Sequence, residues 1–177
     1  GKVSPLSILV HLATASDPTR PVSVEGTAKF PPKGLFNTPT DWHLTYEYAN
    51  GVRMTCTGGR PHIRFEGTDG WIETGPHSVR TSAQYLVDAP LGAGAFRART
   101  CPEGEHRDFL NCIKSGRPTY APAEIGHRTA SVAHIGNIAL RLGRKLRWEP
   151  DREQFLNDDA ANAMVSRAKR EPWRLDA

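Results

Sequence analysis

The stretch from Trp42 to Cys56 constrains the fold more than any other part of the sequence. Trp42, Leu44, Tyr46 and Tyr48 alternate with polar residues, Asn50-Gly51 follows, and Val52, Met54 and Cys56 alternate again. Period-two patterning on both sides of a turn signal reads as a β-hairpin. A two-residue Asn-Gly turn would pair Tyr48 with Arg53 and send the two apolar sets to opposite faces. A three-residue loop, Ala49-Asn50-Gly51, pairs Tyr48 with Val52, Tyr46 with Met54 and Leu44 with Cys56. Only the second register unites the apolar face, so it predicts a type I turn with Gly51 as a left-handed bulge residue.

Around this hairpin the first half reads as strands. Val22 to Phe30 begins in alternation and stops at Pro31-Pro32. His62 to Gly67, a Thr68-Asp69-Gly70 turn and Trp71 to Thr74 suggest a second hairpin. Tyr85-Leu86-Val87 reads as a further strand, and 90–94, Pro-Leu-Gly-Ala-Gly, as a loop. The second half turns helical. Glu105 to Ser115 gathers Phe109, Leu110 and Ile113 on one face, with Gly116 placed to end the helix. Pro122 suits the first position of the longest helix, which Gly143 caps. Gly126 and Gly136 lie inside that helix, and close approach by another backbone is the reason expected for them. A short strand follows at Lys145 to Trp148, then a last helix capped by Asp158 or Asp159 and running through Val165. Pro172-Trp173 reads as an extended tail.

Strands followed by helices predict an α+β fold: an open-faced, mainly antiparallel β-sheet with helices packed on one face. The other face of such a sheet must be polar or covered by a partner.

Bulk properties narrow the function classes. Across 177 residues the apolar fraction is 38%, the charged fraction 24% and the mean hydropathy −0.51. No run approaches the roughly 20 apolar residues that a membrane crossing requires, and no signal-peptide pattern is evident, because His11 interrupts the short apolar run near the start. A soluble, cytoplasmic protein is expected. The three cysteines, Cys56, Cys101 and Cys112, have no metal-like spacing and read as inert thiols in a reducing compartment. A net charge of +4 is spread along the chain except for Arg141, Arg144, Lys145 and Arg147 near a helix end. Cations there complement the helix dipole, and no nucleic-acid motif accompanies them.

Self-contained catalytic machinery is absent from the sequence. Gly92-Ala93-Gly94 lacks the third glycine and the βαβ setting of a dinucleotide fingerprint. No Walker loop, HExxH, GxSxG or paired-cysteine motif occurs. His127 and His134 are seven residues apart on one helix, too far to share one zinc ion comfortably, and no metal site is expected. His127 and Arg128 lie in the first two turns of the long helix, where N–H groups and the dipole favour an anionic or hydroxylated ligand. An ordinary helix-surface histidine is the simpler reading. Arg60 and Arg64 flank His62 as a solvated strand face would, and core packing is the default role of Trp71, Trp148 and Trp173.

From Pro21 onward an ordered set of segments is more specific than any of them singly. These are 21–26 (Pro-Val-Ser-Val-Glu-Gly), 34–38 (Gly-Leu-Phe-Asn-Thr), 48–52 (Tyr-Ala-Asn-Gly-Val) and 65–72 (Phe-Glu-Gly-Thr-Asp-Gly-Trp-Ile). Next come 108–115 (Asp-Phe-Leu-Asn-Cys-Ile-Lys-Ser) and 126–139 (Gly-His-Arg-Thr-Ala-Ser-Val-Ala-His-Ile-Gly-Asn-Ile-Ala). Residues 142–148 (Leu-Gly-Arg-Lys-Leu-Arg-Trp) and 170–173 (Arg-Glu-Pro-Trp) complete the set. Together they resemble the bacterial-type C-terminal domain of the Gfo/Idh/MocA oxidoreductases, the glucose-fructose oxidoreductase and inositol dehydrogenase family. The resemblance divides the chain into a divergent segment, 1–20, and a substrate and oligomerisation domain, 21–177.

The resemblance implies an N-terminal Rossmann domain that binds NAD(P) and carries a lysine in a Glu-Lys-Pro motif. It implies a sugar or polyol-like substrate and homo-oligomerisation through the sheet face, with neither nucleic acid nor membrane as partner. This sequence departs from the pattern in two ways. It carries no Rossmann half, and 7–15, Ser-Ile-Leu-Val-His-Leu-Ala-Thr-Ala, does not match the family's Gly-x-His segment. No catalytic residue therefore carries over. Asn37, Thr38, His127 and Arg128 are candidate substrate-binding residues, and NAD(P) is expected to bind the full-length family member but not this chain alone. Three readings follow: part of a two-domain dehydrogenase, a stand-alone sugar-binding or assembly module, and a chain completed by a Rossmann domain in trans.

Overall fold

The computed structural model describes residues 20–58, 63–75, 78–90, 101–167 and 169–172. In chain order the elements are β1 (Pro21–Lys29), β2 (Asp41–Tyr48), β3 (Arg53–Thr57), β4 (Ile63–Gly67), β5 (Gly70–Gly75) and β6 (Ser78–Thr81). They continue with α1 (Tyr85–Asp88), α2 (Glu105–Ser115), α3 (Ala123–Leu142), β7 (Leu146–Glu149), β8 (Gln154–Phe155) and α4 (Asp159–Asn162). Two compact units divide the described residues: 20–58 with 130–167 and 169–172, and 63–75 with 78–90 and 101–129.

The first unit holds a five-stranded antiparallel sheet in the order β3-β2-β1-β7-β8. Its central hairpin has the register that the apolar pattern demands: Leu44 faces Cys56 and Tyr46 faces Met54. The Tyr48 N–H donates to the Val52 carbonyl at 2.9 Å, the Gly51 N–H to the Tyr48 carbonyl at 3.0 Å, and Gly51 takes φ +85°. Asn50 contributes by accepting the Val52 N–H on Oδ1 at 3.1 Å.

One face of this sheet is covered. Val24, Leu44, Tyr46 and Tyr48 pack with Val132, Ile135, Ile138 and Ala139 of α3 and with Leu146, Trp148, Phe155 and Ala161 into one core. Val24 and Ala139 are fully buried at 0% exposure, which places the helix on the sheet's middle rather than its rim. The Tyr46 hydroxyl donates to the Val132 carbonyl of α3 at 3.1 Å, and burial pushes its phenol pKa strongly upward. Gly136 lies one helical turn beyond Val132 and makes this contact possible. A Cβ at 136 would overlap the hydroxyl and sit 3.0 Å from Leu44 Cδ1 and 3.1 Å from Tyr46 Cζ. The close approach at Gly136 is thus by a side chain, not by the backbone expected from the sequence. A Cβ at Gly126 meets nothing within 4 Å among the described residues, and the structure gives that glycine no packing reason.

The rim of the sheet is closed by α4. Asp158 caps it, accepting the Ala161 N–H at 3.0 Å, and Asn162 bonds both backbone groups of Phe155, at 2.7 and 2.9 Å. This clasp, with Trp148 directly opposite Phe155, holds β8, a strand too short to announce itself in the sequence. The predicted last helix is only four residues long; the chain continues to Val165 through single-turn bonds, Met164 to Ala161 and Val165 to Asn162.

The second unit holds the three-stranded antiparallel meander β4-β5-β6. Gly67 pairs with Gly70 across a two-residue Thr68-Asp69 turn, one residue tighter than predicted. Tyr85 to Val87 is not a strand but lies in α1. Bonds within the segment close a single helical turn: the Asp88 N–H donates to the Gln84 carbonyl at 3.2 Å, the Ala89 N–H to the Tyr85 carbonyl at 2.9 Å, and Gln84 Nε2 to Asp88 at 3.0 Å, while the Tyr85 hydroxyl reaches back to the Asp69 carbonyl at 2.9 Å. α2 spans the expected residues and ends at Gly116 with φ +69°. Its buried residues are Asp108 and Cys112, whereas Phe109, Leu110 and Ile113 are exposed. The Pro122 carbonyl accepts the N–H groups of Ile125 and Gly126, so this proline caps α3 from just outside. His62, the loop 91–94 and Trp173 lie outside the described residues.

Candidate functional site

Asn37 and Thr38 stand exposed in the loop between β1 and β2. Its neck is closed by Thr40, whose N–H and hydroxyl both donate to the Lys29 carbonyl, at 2.9 and 3.2 Å. Arg141, in the last turn of α3, donates from Nη2 to the Asn37 carbonyl at 3.4 Å, and its guanidinium lies 5.7 Å from the centre of the Phe30 ring. The loop therefore offers an amide, a hydroxyl and a nearby cation, a set that suits a hydroxyl-rich or anionic ligand.

His127 and Arg128 lie near the start of α3, in the other unit. Arg128 Nε donates to Glu124 Oε1 at 2.6 Å, an i,i+4 pair that offsets its charge, and Thr129 is buried with its hydroxyl on the Ile125 carbonyl at 2.8 Å. The four candidate residues thus fall into two pairs, each described within its own unit.

Two polar clusters were not legible in the sequence. The first occupies the uncovered face of the five-stranded sheet. Cross-strand pairing sets Arg147, Ser23, Glu47 and Arg53 in one row, Glu25, Thr45 and Thr55 in the next, then Thr27, His43 and Thr57, and finally Lys29 and Asp41. Glu47 anchors the charged end, accepting from Ser23 at 2.7 Å and from Lys145 at 2.8 Å, with Arg53 3.7 Å away. The Lys145 bond foremost, then the Ser23 bond, holds the Glu47 carboxyl below its ordinary range. No large apolar side chain occurs in these rows. The alternating pattern announced a polar face, but which charges would meet depends on strand order.

The second cluster is Asp108 on α2. Its two oxygens accept the Tyr120 N–H at 2.7 Å and Arg117 Nη2 at 2.8 Å, while Cys112 Sγ donates to the Pro118 carbonyl at 3.4 Å. The backbone bond from Tyr120 is the main cause that lowers the Asp108 pKa, and Arg117 adds to it. These bonds staple the segment after Gly116 onto the helix. Their role is structural.

No parallel βαβ unit occurs among the described residues. Binding a dinucleotide's pyrophosphate calls for such a unit, with a glycine-rich turn opening a helix, and every strand pair among the described residues is antiparallel. Among the described residues no group of three or more His, Cys, Asp and Glu side chains could hold a metal ion, and no helix is long and apolar enough to cross a membrane.

Comparison with known proteins agrees with this architecture. No curated protein sequence matches the chain. Among solved structures, UDP-N-acetylglucosamine 3-dehydrogenase GnnA from Acidithiobacillus ferrooxidans is similar over 80% of this chain and 46% of its own, at 17% identity and a TM-score of 0.52. An aldose-aldose oxidoreductase from Caulobacter crescentus, complexed with glycerol, is similar over 80% of this chain and 45% of its own, at 17% identity and a TM-score of 0.51. The chain thus spans about half the length of these proteins, and the likeness is one of fold. The profile of the oxidoreductase family's C-terminal alpha/beta domain matches residues 8–175. The chain belongs to the Gfo/Idh/MocA oxidoreductase family, as its C-terminal alpha/beta domain.

Proposed function

We propose that this chain is the substrate-side domain of an NAD(P)-dependent, sugar-type oxidoreductase, with the hydride chemistry supplied by a Rossmann domain in cis or in trans. The observation that carries the reading is the wholly antiparallel strand pairing of the described residues in a chain of an oxidoreductase family. Hydride transfer needs the cofactor's reactive carbon held against the substrate, and binding and orientation are what a protein contributes. Antiparallel sheets provide a wall for that reaction without the phosphate cradle. Residues 21–177 form the working domain in this reading, 1–20 a divergent lead-in, and the three free cysteines suit a reducing cytoplasm.

Asn37, Thr38, His127 and Arg128 are the proposed substrate contacts. Amide, hydroxyl and imidazole groups match a sugar or polyol, the class to which the aldose substrate named for the Caulobacter protein belongs. The uncovered polar sheet face supports a second role, homo-oligomerisation. That role would also serve a stand-alone, non-catalytic assembly module.

Isothermal titration of the isolated chain with NADH and NADPH tests the central claim. No heat of binding is expected; micromolar binding of either cofactor would sink the division of labour. Co-purification from the native source with a Rossmann-containing chain would identify the trans arrangement.

A further inference from the structure

We propose that Arg141 is the positioning residue for the β1–β2 loop, latching the segment that carries Asn37 and Thr38 to the end of α3. The inference rests on the reading of those two residues as substrate contacts, and it deepens that reading by naming what sets their place.

Ordinary anchors are scarce in this loop. Pro31, Pro32 and Pro39 carry no N–H to donate. The apex residues Leu35 and Phe36 are 93% and 74% exposed, so apolar burial does not hold the tip. Thr40 closes the neck onto Lys29 but leaves the body of the loop untouched. Among the described residues, both directional contacts that reach the loop from another element come from Arg141, one on the Asn37 carbonyl and one over the Phe30 ring. The two grip points lie seven residues apart on opposite limbs, so one guanidinium spans the loop. The base of the latch is rigid, because Ile138, Ala139 and Leu140 just before it are buried in the core. The hydrogen bond is long, at 3.4 Å, so the guanidinium's place over the Phe30 ring shares the grip.

A cation in a helix's last turn also favours the dipole, and the test separates the two roles. In Arg141→Met the stem remains but charge and donors are lost; in Arg141→Lys the charge and an ammonium donor group remain, without the planar fork. Backbone 15N relaxation on the folded proteins should show the order parameters of Asn37 and Thr38 dropping from about 0.85 to below about 0.6 in Arg141→Met. Arg141→Lys should recover part of that drop, with β1 and β2 unchanged in both. Titration with glucose, followed at the Asn37 and Thr38 amides, should show about fivefold weaker binding in Arg141→Met, the worth of one modest hydrogen bond. Equal loop order parameters in all three proteins would overturn the latch, even if thermal stability changed. Loosening of the loop with no glucose response in any protein would uphold the latch and refute the pocket.

Discussion

A Cβ added at position 136 has nowhere to go, because the Tyr46 hydroxyl and Leu44 Cδ1 already occupy the space against a helix that cannot shift cheaply. Gly136→Ala should therefore lower the unfolding free energy by about 2 kcal/mol, as overpacking of a tight core does, measured by urea denaturation. Tyr46→Phe keeps the ring and leaves the Val132 carbonyl with only its helical partner, a loss of about 1 kcal/mol. The pair should be non-additive: in the Tyr46→Phe background the alanine should cost less, since the overlapping oxygen is gone. The sequence singled out Gly136 as a helix glycine in need of a reason. It did not name Tyr46, because a partner 90 positions away is chosen by packing rather than by local pattern.

Whole elements are held by carboxylates whose pKa values lie below their ordinary range. Asp158 caps α4 and also bonds Arg144 Nη2 at 2.7 Å, and the Arg144 bond is the main cause of its lowered pKa. Asp108 staples the segment after α2, and Glu47 ties β2 to Lys145 beside β7. A carboxylate lowered by folding adds stability that is complete above its unfolded pKa, about 4, and is lost as pH falls through the folded value. The thermal midpoint should thus be nearly flat from pH 7 to 5 and fall below about pH 4. Asp108→Asn combined with Asp158→Asn should lower the midpoint at pH 7 and flatten that acid slope, as seen by circular dichroism across the pH series; an unchanged slope would contradict this. Element types were legible where period and punctuation agreed, as in β2, β3 and α2. They failed at Tyr85–Val87, where three apolar residues imitate a strand and local hydrogen bonds decide otherwise. β8 was invisible because it depends on Asn162 and Trp148, not on its own two residues.

At the scale of the molecule, the family and the sheet-plus-helix class could be read from ordered segments, whereas the candidate site could be read only as residue names. Strand order, which brings Glu47 beside Lys145, is a long-range fact that no local window contains. If copies of the chain associate through the uncovered face, the row of Glu25, Thr45 and Thr55 lies near its middle, and a charge introduced there must be desolvated on assembly. Thr45→Glu, which sets a second carboxylate opposite Glu25, should then shift the chain from oligomer to monomer in multi-angle light scattering while leaving the circular dichroism spectrum unchanged; a wild-type chain that is already monomeric would remove this role for the face. The edge-on Trp148–Phe155 pair, 4.8 Å between ring centres at 67°, has a further consequence. Two rings locked at a fixed tilt in an asymmetric setting give a near-ultraviolet optical signature that free rotation would erase. In a Trp42→Phe, Trp71→Phe, Trp173→Phe background, the indole part of that signature belongs to the last two strands and their α4 clasp. Its disappearance on warming, timed against the far-ultraviolet signal of the whole backbone, would tell whether the sheet melts as one body or peels from the β8 side.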